Sequence, residues 1–197
     1  MKVLITGSRG QLGHHLQELL KDKHVQCVAT DVDELDITDF GAVEKFVAKH
    51  KPTHMINAAA YNGVDQAEKE IAIAFAINSA GPWNLALAAR KHGCVFVHIS
   101  TDFVFDGTKK SAYVETDLPN PQSAYARSKY AGELLVQNAE EITNADPSLL
   151  LHVGIYSAGL GEKDPHRPIT VAGIQSAYKH PRLFSPENAL AVFAQLV

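Results

Sequence analysis

The sequence predicts an α/β protein built on a doubly wound parallel sheet, ending in a short or atypical C-terminal segment. Three observations carry the prediction. Short β-rich runs alternate with longer helical patterns, a glycine-rich turn joins the first strand to the first helix, and polar residues suited to chemistry fall at the carboxyl ends of strands. The 197 residues, 46% of them apolar and 20% charged, are enough for one well-packed domain, or one plus a fragment. With a formal net charge of -4 and no basic stripe, nucleic acid is not an expected partner. Apolar runs are short and broken by charge, and the first residues enter a strand without a hydrophobic leader. Neither a membrane span nor a signal peptide is therefore expected, and a cytoplasmic location follows. Cys27 and Cys94 lack close partners and read as small buried hydrophobes. The neighbouring histidines, His14 with His15 and His50 with His54, lack helical ligand spacing, so no metal is expected.

Taken in order, Lys2 to Thr6 is a β-rich run. Gly7-Ser8-Arg9-Gly10-Gln11-Leu12-Gly13 follows, then a helical pattern to about Lys21 with Leu12, Leu16, Leu19 and Leu20 on one face. Strand, glycine turn and helix is the order a dinucleotide site requires, because glycines let the backbone approach a pyrophosphate and a helix N-terminus offers N–H groups to it. The spacing is G-x-x-G-x-x-G. Val25 to Thr30 is the next strand and ends in Asp31, 18 residues after Gly13, where an acidic residue can accept hydrogen bonds from an adenosine ribose. Arg9 could instead meet a 2′-phosphate, which leaves NADH and NADPH both open. Thr38 is expected to cap a helix ending near His50, with Ala42, Val43, Phe46 and Val47 as its stripe and Pro52 closing it. His54 to Asn57 reads as a third core strand, followed by the small-residue surface Ala58-Ala59-Ala60. Asp65 to His92 is helical with a break at Gly81-Pro82, and it carries Asn78. Val95 to Ser100 is a further strand that delivers Thr101 and Asp102 to its carboxyl end.

Ser123 to Asn138 reads as an amphipathic helix opening on Tyr125-Ala126-Arg127-Ser128-Lys129. Residues four apart share a helix face, so the phenol and the ammonium are expected side by side. An adjacent cation favours the ionised phenol and lowers its pKa, which makes a usable proton donor or acceptor.

Four segments occur in order: Thr6 to Gly13, Asn57-Ala58-Ala59-Ala60-Tyr61, Ser100-Thr101-Asp102-Phe103-Val104-Phe105-Asp106-Gly107, and Tyr125 to Lys129. Together, over residues 3 to about 140, they resemble the extended short-chain dehydrogenase/reductases, and within that family the dTDP-4-dehydrorhamnose reductases. The resemblance implies a Rossmann-type NAD(P)-binding domain over residues 1–158. Residues 159–197 would be a short atypical C-terminal segment that could belong to the substrate region. It implies a catalytic triad of Thr101, Tyr125 and Lys129, and Thr101 with Asp102 holding the sugar. NADPH or NADH would lie against Gly7, Gly10, Gln11, Leu12, Gly13, Asp31, Asp36, Ile37, Ala59, Ala60, Tyr61, Ile99, Tyr125 and Lys129. The implied activity is reduction of the C4 keto group of a dTDP-4-dehydro-6-deoxy sugar, a nucleotide-sugar substrate, by a chain that could form a homodimer. Relatives that dehydrate their sugar place Asp-Glu after the Thr, whereas Phe103 follows Asp102 here, which favours reduction; epimerisation is less firmly set aside.

The chain departs from the family's pattern after this helix. Where the family continues with a strand resembling R-T-S-W-V-Y-G, this sequence reads Leu149-Leu150-Leu151-His152-Val153-Gly154-Ile155-Tyr156, and its one tryptophan is Trp83. Leu149 to Tyr156 can still be a strand and Gly159 to Pro168 reads as a loop. Residues 169–180 are ambiguous and admit a helix, while Ser185-Pro186-Glu187 looks like a helix start running to Leu196. The departure keeps a second expectation open, a dinucleotide-binding regulatory subunit resembling that of methionine adenosyltransferase.

Overall fold

The computed structural model describes residues 1–114, 116–141, 153–156 and 169–173. Strands β1 (Lys2–Thr6), β2 (Gln26–Thr30), β3 (His54–Asn57), β4 (Val95–Ser100), β5 (Val153–Tyr156) and β6 (Ile169–Gly173) form one sheet in the order β2-β1-β3-β4-β6-β5. Every pairing in it is parallel. The helices are α1 (Gln11–Asp22), α2 (Phe40–His50), the short α3 (Val64–Ala67) and α4 (Ile71–Phe75), then α5 (Gly81–Lys91) and α6 (Ala124–Glu141).

A parallel sheet is covered on both faces, so its strands must be apolar on both sides. Val3, Ile5, Ile56, Val97 and Ile99 turn to one face and pack with Leu20, Leu12 and Leu16 of α1. Leu4, Met55 and Phe96 turn to the other, against Val43 and Val47 of α2, Leu85 and Ala89 of α5, and Val136 and Ala139 of α6. Burying each large side chain of this kind contributes about 1.5–3 kcal/mol. The doubly wound parallel sheet read from the sequence is thus the observed architecture.

Strand order reverses at β1. α1 carries the chain to β2 on one side and α2 returns it to β3 on the other, which opens a crevice at the carboxyl ends of β1 and β3 where ligands of such sheets sit. A buried polar ladder crosses the sheet there. The Thr6 hydroxyl donates to Asn57 Oδ1 at 2.6 Å, and Asn57 Nδ2 meets His98 Nδ1 at 3.0 Å. Fully buried His98 is held well below its ordinary pKa, by burial first and by the Lys129 charge second, so it is neutral.

Three expectations need correction. The cap of α2 is Asp39, whose side chain accepts from the Ala42 N–H at 3.0 Å; Thr38 is unavailable because its own hydroxyl donates to Asp36 Oδ1. The helical stretch after Asp65 does not break at Gly81-Pro82. It is interrupted at 68–70, widens to a π-helical turn at Ala76–Ala80, and runs into α5 with its proline in the first turn, where a missing N–H costs nothing. Residues 169–173 form a strand, not a helix, in keeping with β-branched Ile169, Thr170 and Val171. The run Ile71–Lys91 is long and apolar enough to cross a membrane by length and composition alone, but half of it is buried within the fold. Within the expected strand at 149–156 the structure describes Val153–Tyr156. The expected loop at Gly159–Pro168 and the helix start at Ser185 lie outside the described residues.

Candidate active site

The glycine turn sits at the crevice because only glycine fits it. Gly7 has φ +68°, and a Cβ there would stand 2.5 Å from the Ala59 nitrogen, so β1 and the Ala58-Ala59-Ala60 segment approach backbone to backbone. The Ala59 N–H in turn donates to Asn57 Oδ1 at 3.1 Å. Gly10 stands at the N-terminus of α1 in extended conformation and caps it with no side chain. The first N–H groups of a helix have no intrahelical acceptor, and those of Gln11, Leu12 and Gly13 open α1. Asp31, at the end of β2, is tied to this turn by accepting the Arg9 N–H at 2.9 Å. Arg9 also turns its guanidinium to Asp33 and Glu34, which raise its pKa. An uncapped helix start between a close-packed glycine turn and a strand-end carboxylate is what a dinucleotide's pyrophosphate and ribose need.

A second group gathers at the carboxyl end of β4. Thr101, buried, accepts the Phe103 N–H at 3.2 Å, and its hydroxyl is near enough to the Tyr125 phenol to favour the ionised form. The Phe103 ring meets the Tyr125 ring edge-on with centroids 6.0 Å apart. Ser123 opens α6 by accepting the Ala126 N–H at 3.1 Å, which sets the phase of the helix that carries Tyr125 and Lys129. Asp102 lies beside Thr101, with their side chains 3.4 Å apart, and its charge reaches Tyr125.

The expected effect of Lys129 on the phenol is corrected by the geometry. Lys129, 2% exposed, donates its ammonium to the Ile99 carbonyl at 2.5 Å. Burial raises the Tyr125 pKa, the nearby Thr101 hydroxyl opposes that rise, and Asp102 adds to it. The phenol is therefore held protonated. Lys129 itself is pushed down to about 8 by burial, partly offset by Glu133.

Not every expected site residue joins these two groups. Asp36 is turned into its own loop, accepting the Thr38 N–H at 2.9 Å, and Ile37 is a core residue whose carbonyl accepts from Asn84 at 3.0 Å. Tyr61 gives its hydroxyl to Glu70 at 2.6 Å, while its backbone is gripped on both sides by Asn78. The sequence pattern places Asn78 only as a helix residue. It is fully buried in the π-helical turn and also donates to Ser128 Oγ at 2.9 Å, so it links the Tyr61 loop to α6. A lone asparagine in the apolar run Ile71–Ala80 was the signal available. Among the described residues no group of three or more His, Cys, Asp or Glu side chains is placed to hold a metal.

Residues 1–145 match the family model described as the RmlD substrate binding domain. The chain belongs to this family. Among curated RmlD-like relatives, a dTDP-4-dehydrorhamnose reductase of Aggregatibacter actinomycetemcomitans is 46% identical over 136 residues, 68% of this chain and 46% of the relative. A solved dTDP-4-dehydrorhamnose reductase of Clostridium acetobutylicum ATCC 824 is 49% identical with a TM-score of 0.69, covering 71% of this chain and 50% of that one. Another, from Bacillus anthracis str. Ames in complex with NADP, is 43% identical with a TM-score of 0.68 over 71% and 50%. The chain spans about half the length of the curated relatives it matches. Its RmlD-family fold is that of the extended short-chain dehydrogenase/reductases, as the ordered motifs implied.

Proposed function

We propose that the protein reduces the C4 keto group of a dTDP-linked 4-dehydro-6-deoxy sugar, dTDP-4-dehydrorhamnose, with NADPH or NADH as reductant. The observation that carries this reading is the gathering of buried Thr101 and Tyr125 at the carboxyl end of β4, linked through Phe103, whose N–H Thr101 accepts and whose ring meets the Tyr125 ring. The names of the relatives, and NADP bound to one of them, support it.

When bound, the reduced dinucleotide supplies the hydride that the C4 carbon accepts. The chain's own residues would hold the dinucleotide and manage the proton. The opening N–H groups of α1 bind the pyrophosphate, and Asp31 accepts from the adenosine ribose. As charge develops on the sugar oxygen, Thr101 orients that oxygen and Tyr125 gives it a proton. The phenol is protonated at neutral pH and so has the proton to give, while burial makes it a weaker acid than a free phenol. Lys129 keeps its ammonium at the Ile99 carbonyl one turn further along α6, on the side where the nicotinamide ribose would lie.

The test is Tyr125→Phe, which removes one hydroxyl. Substrate-dependent loss of reduced-nicotinamide absorbance should fall at least about 100-fold, the lower end of what a positioned general acid contributes. Dinucleotide affinity, read by fluorescence titration, should be nearly unchanged. Undiminished turnover would overturn the assignment. A wild-type chain that binds the dinucleotide but reduces no sugar would favour the binding-only subunit.

A further inference from the structure

One carboxyl group close to this site is left unused by the proposed reaction. Glu133 follows Lys129 by four residues on α6, so the two share a helix face, and they are 4% and 2% exposed. The Glu133 carboxylate accepts the Ser100 hydroxyl. Ser100 is the last residue of β4 and follows Ile99, whose carbonyl takes the Lys129 ammonium. Two consecutive residues of β4 therefore hold two consecutive turns of α6, one by its cation and one by its anion.

Other charges around this pair are engaged elsewhere. On β4, His98 is buried and neutral. Beyond β4, the charge of Asp102 acts on Tyr125. Glu68 accepts the Ala124 N–H at the first turn of α6, and Arg90 of α5 donates to the Ala139 carbonyl near its last. Among the described residues, Glu133 is the opposite charge that acts on Lys129.

We propose that Glu133 is a positioning residue, the counter-charge that keeps Lys129 protonated and directed at the carboxyl end of β4, with Ser100 as the hook that fixes the carboxylate. The proposal rests on the reductase reading only for its consequence in turnover. A buried ammonium without such a partner gives up its proton. Burial raises Glu133 itself to about 7, with the Ser100 hydrogen bond and the Lys129 charge opposing the rise, so the two groups titrate close together.

The decisive variant is Glu133→Gln, which keeps the size and an oxygen for Ser100 but removes the charge. The readout is the carbon-13 resonance of lysine Cε in the full chain, assigned through Lys129→Met and followed against pH. Lys129 should lose its proton about one pH unit lower in Glu133→Gln than in wild type. The alkaline limb of turnover should move with it, and Glu133→Asp should restore both. An unmoved Lys129 titration in folded Glu133→Gln overturns the proposal.

If that variant fails to fold, the unaltered chain still decides. Followed together, the Lys129 Cε and Glu133 carboxyl resonances should each respond to the other's titration, and a Lys129 resonance that does not respond to the Glu133 titration overturns the pairing. Neither resonance measurement needs substrate or dinucleotide. A chain with Glu133-dependent Lys129 titration and no sugar reduction would therefore overturn the reductase reading while leaving the pairing in place.

Discussion

Tyr125 holds the proton it would give, and burial raises its pKa above that of a free phenol. A different residue shows the opposite electrostatic design. Asp106 accepts from the Thr108 N–H and hydroxyl, from the Asn120 amide and from the Tyr113 hydroxyl, and these bonds hold its pKa far below the ordinary carboxylate value. A depressed folded pKa contributes stability that is present above the unfolded value and lost as pH falls below it. Asp106→Asn should therefore melt below wild type at pH 7, with the gap in melting temperature shrinking as acid is added below about 3.8. An equal gap at pH 7 and pH 3 would refute this account. The place of Thr101 after a strand end and of Tyr125 and Lys129 one turn apart on a helix was legible in the sequence because strand ends and helical spacing are local signals. The bonds of Asn78, Ser100 and Glu133 were not, because their partners lie 17 to 50 residues away in sequence.

Between elements, the tightest fit is where α6 crosses the π-helical turn. A Cβ on Gly132 would stand 2.1 Å from the Asn78 carbonyl oxygen, and the Ser79 hydroxyl donates to the Ser128 carbonyl at 2.7 Å in the same seam. Since that oxygen belongs to backbone, an added methyl can be accommodated only by pushing the helix away. Gly132→Ala should cost about 1–3 kcal/mol, measured as a lower urea midpoint with unchanged slope, despite alanine's better helix propensity. A variant as stable as wild type would mean that the seam yields more easily than its geometry implies. The extent of the helices was readable from apolar periodicity, whereas their interruptions were not. Gly81-Pro82 looked like a break from composition, yet the widened turn just before it lets a proline start α5 without penalty. The cap shifted by one residue from the expected Thr38 because the Thr38 hydroxyl is spent on Asp36, which leaves Asp39 to take the role.

At the scale of the whole molecule, the parallel sheet, its strand alternation and the placement of chemistry at its carboxyl edge followed from the sequence, because period and turn residues are local signals. Strand order was beyond reach at its far end, where β6 lies between β4 and β5 although β5 comes first in the chain. The polar ladder inside the sheet has a measurable consequence for stability. His98 is held neutral in the fold, so its contribution is present above the unfolded value of 6.5 and declines as pH falls below it. Between pH 6.5 and pH 5 the urea midpoint of wild type should drop more steeply than that of His98→Gln, which has nothing to protonate there. Equal slopes would place the acid sensitivity elsewhere.

The same ladder also constrains how this sequence can change over generations. Thr6, Asn57 and His98 are far apart along the chain, yet each satisfies a neighbour that water cannot reach. Replacing one of them by an apolar residue strands the others, whereas replacing bonded partners together by apolar groups of similar shape is close to neutral. Changing the sheet centre from polar to dry without stranding a buried group therefore requires coordinated substitution at the three positions.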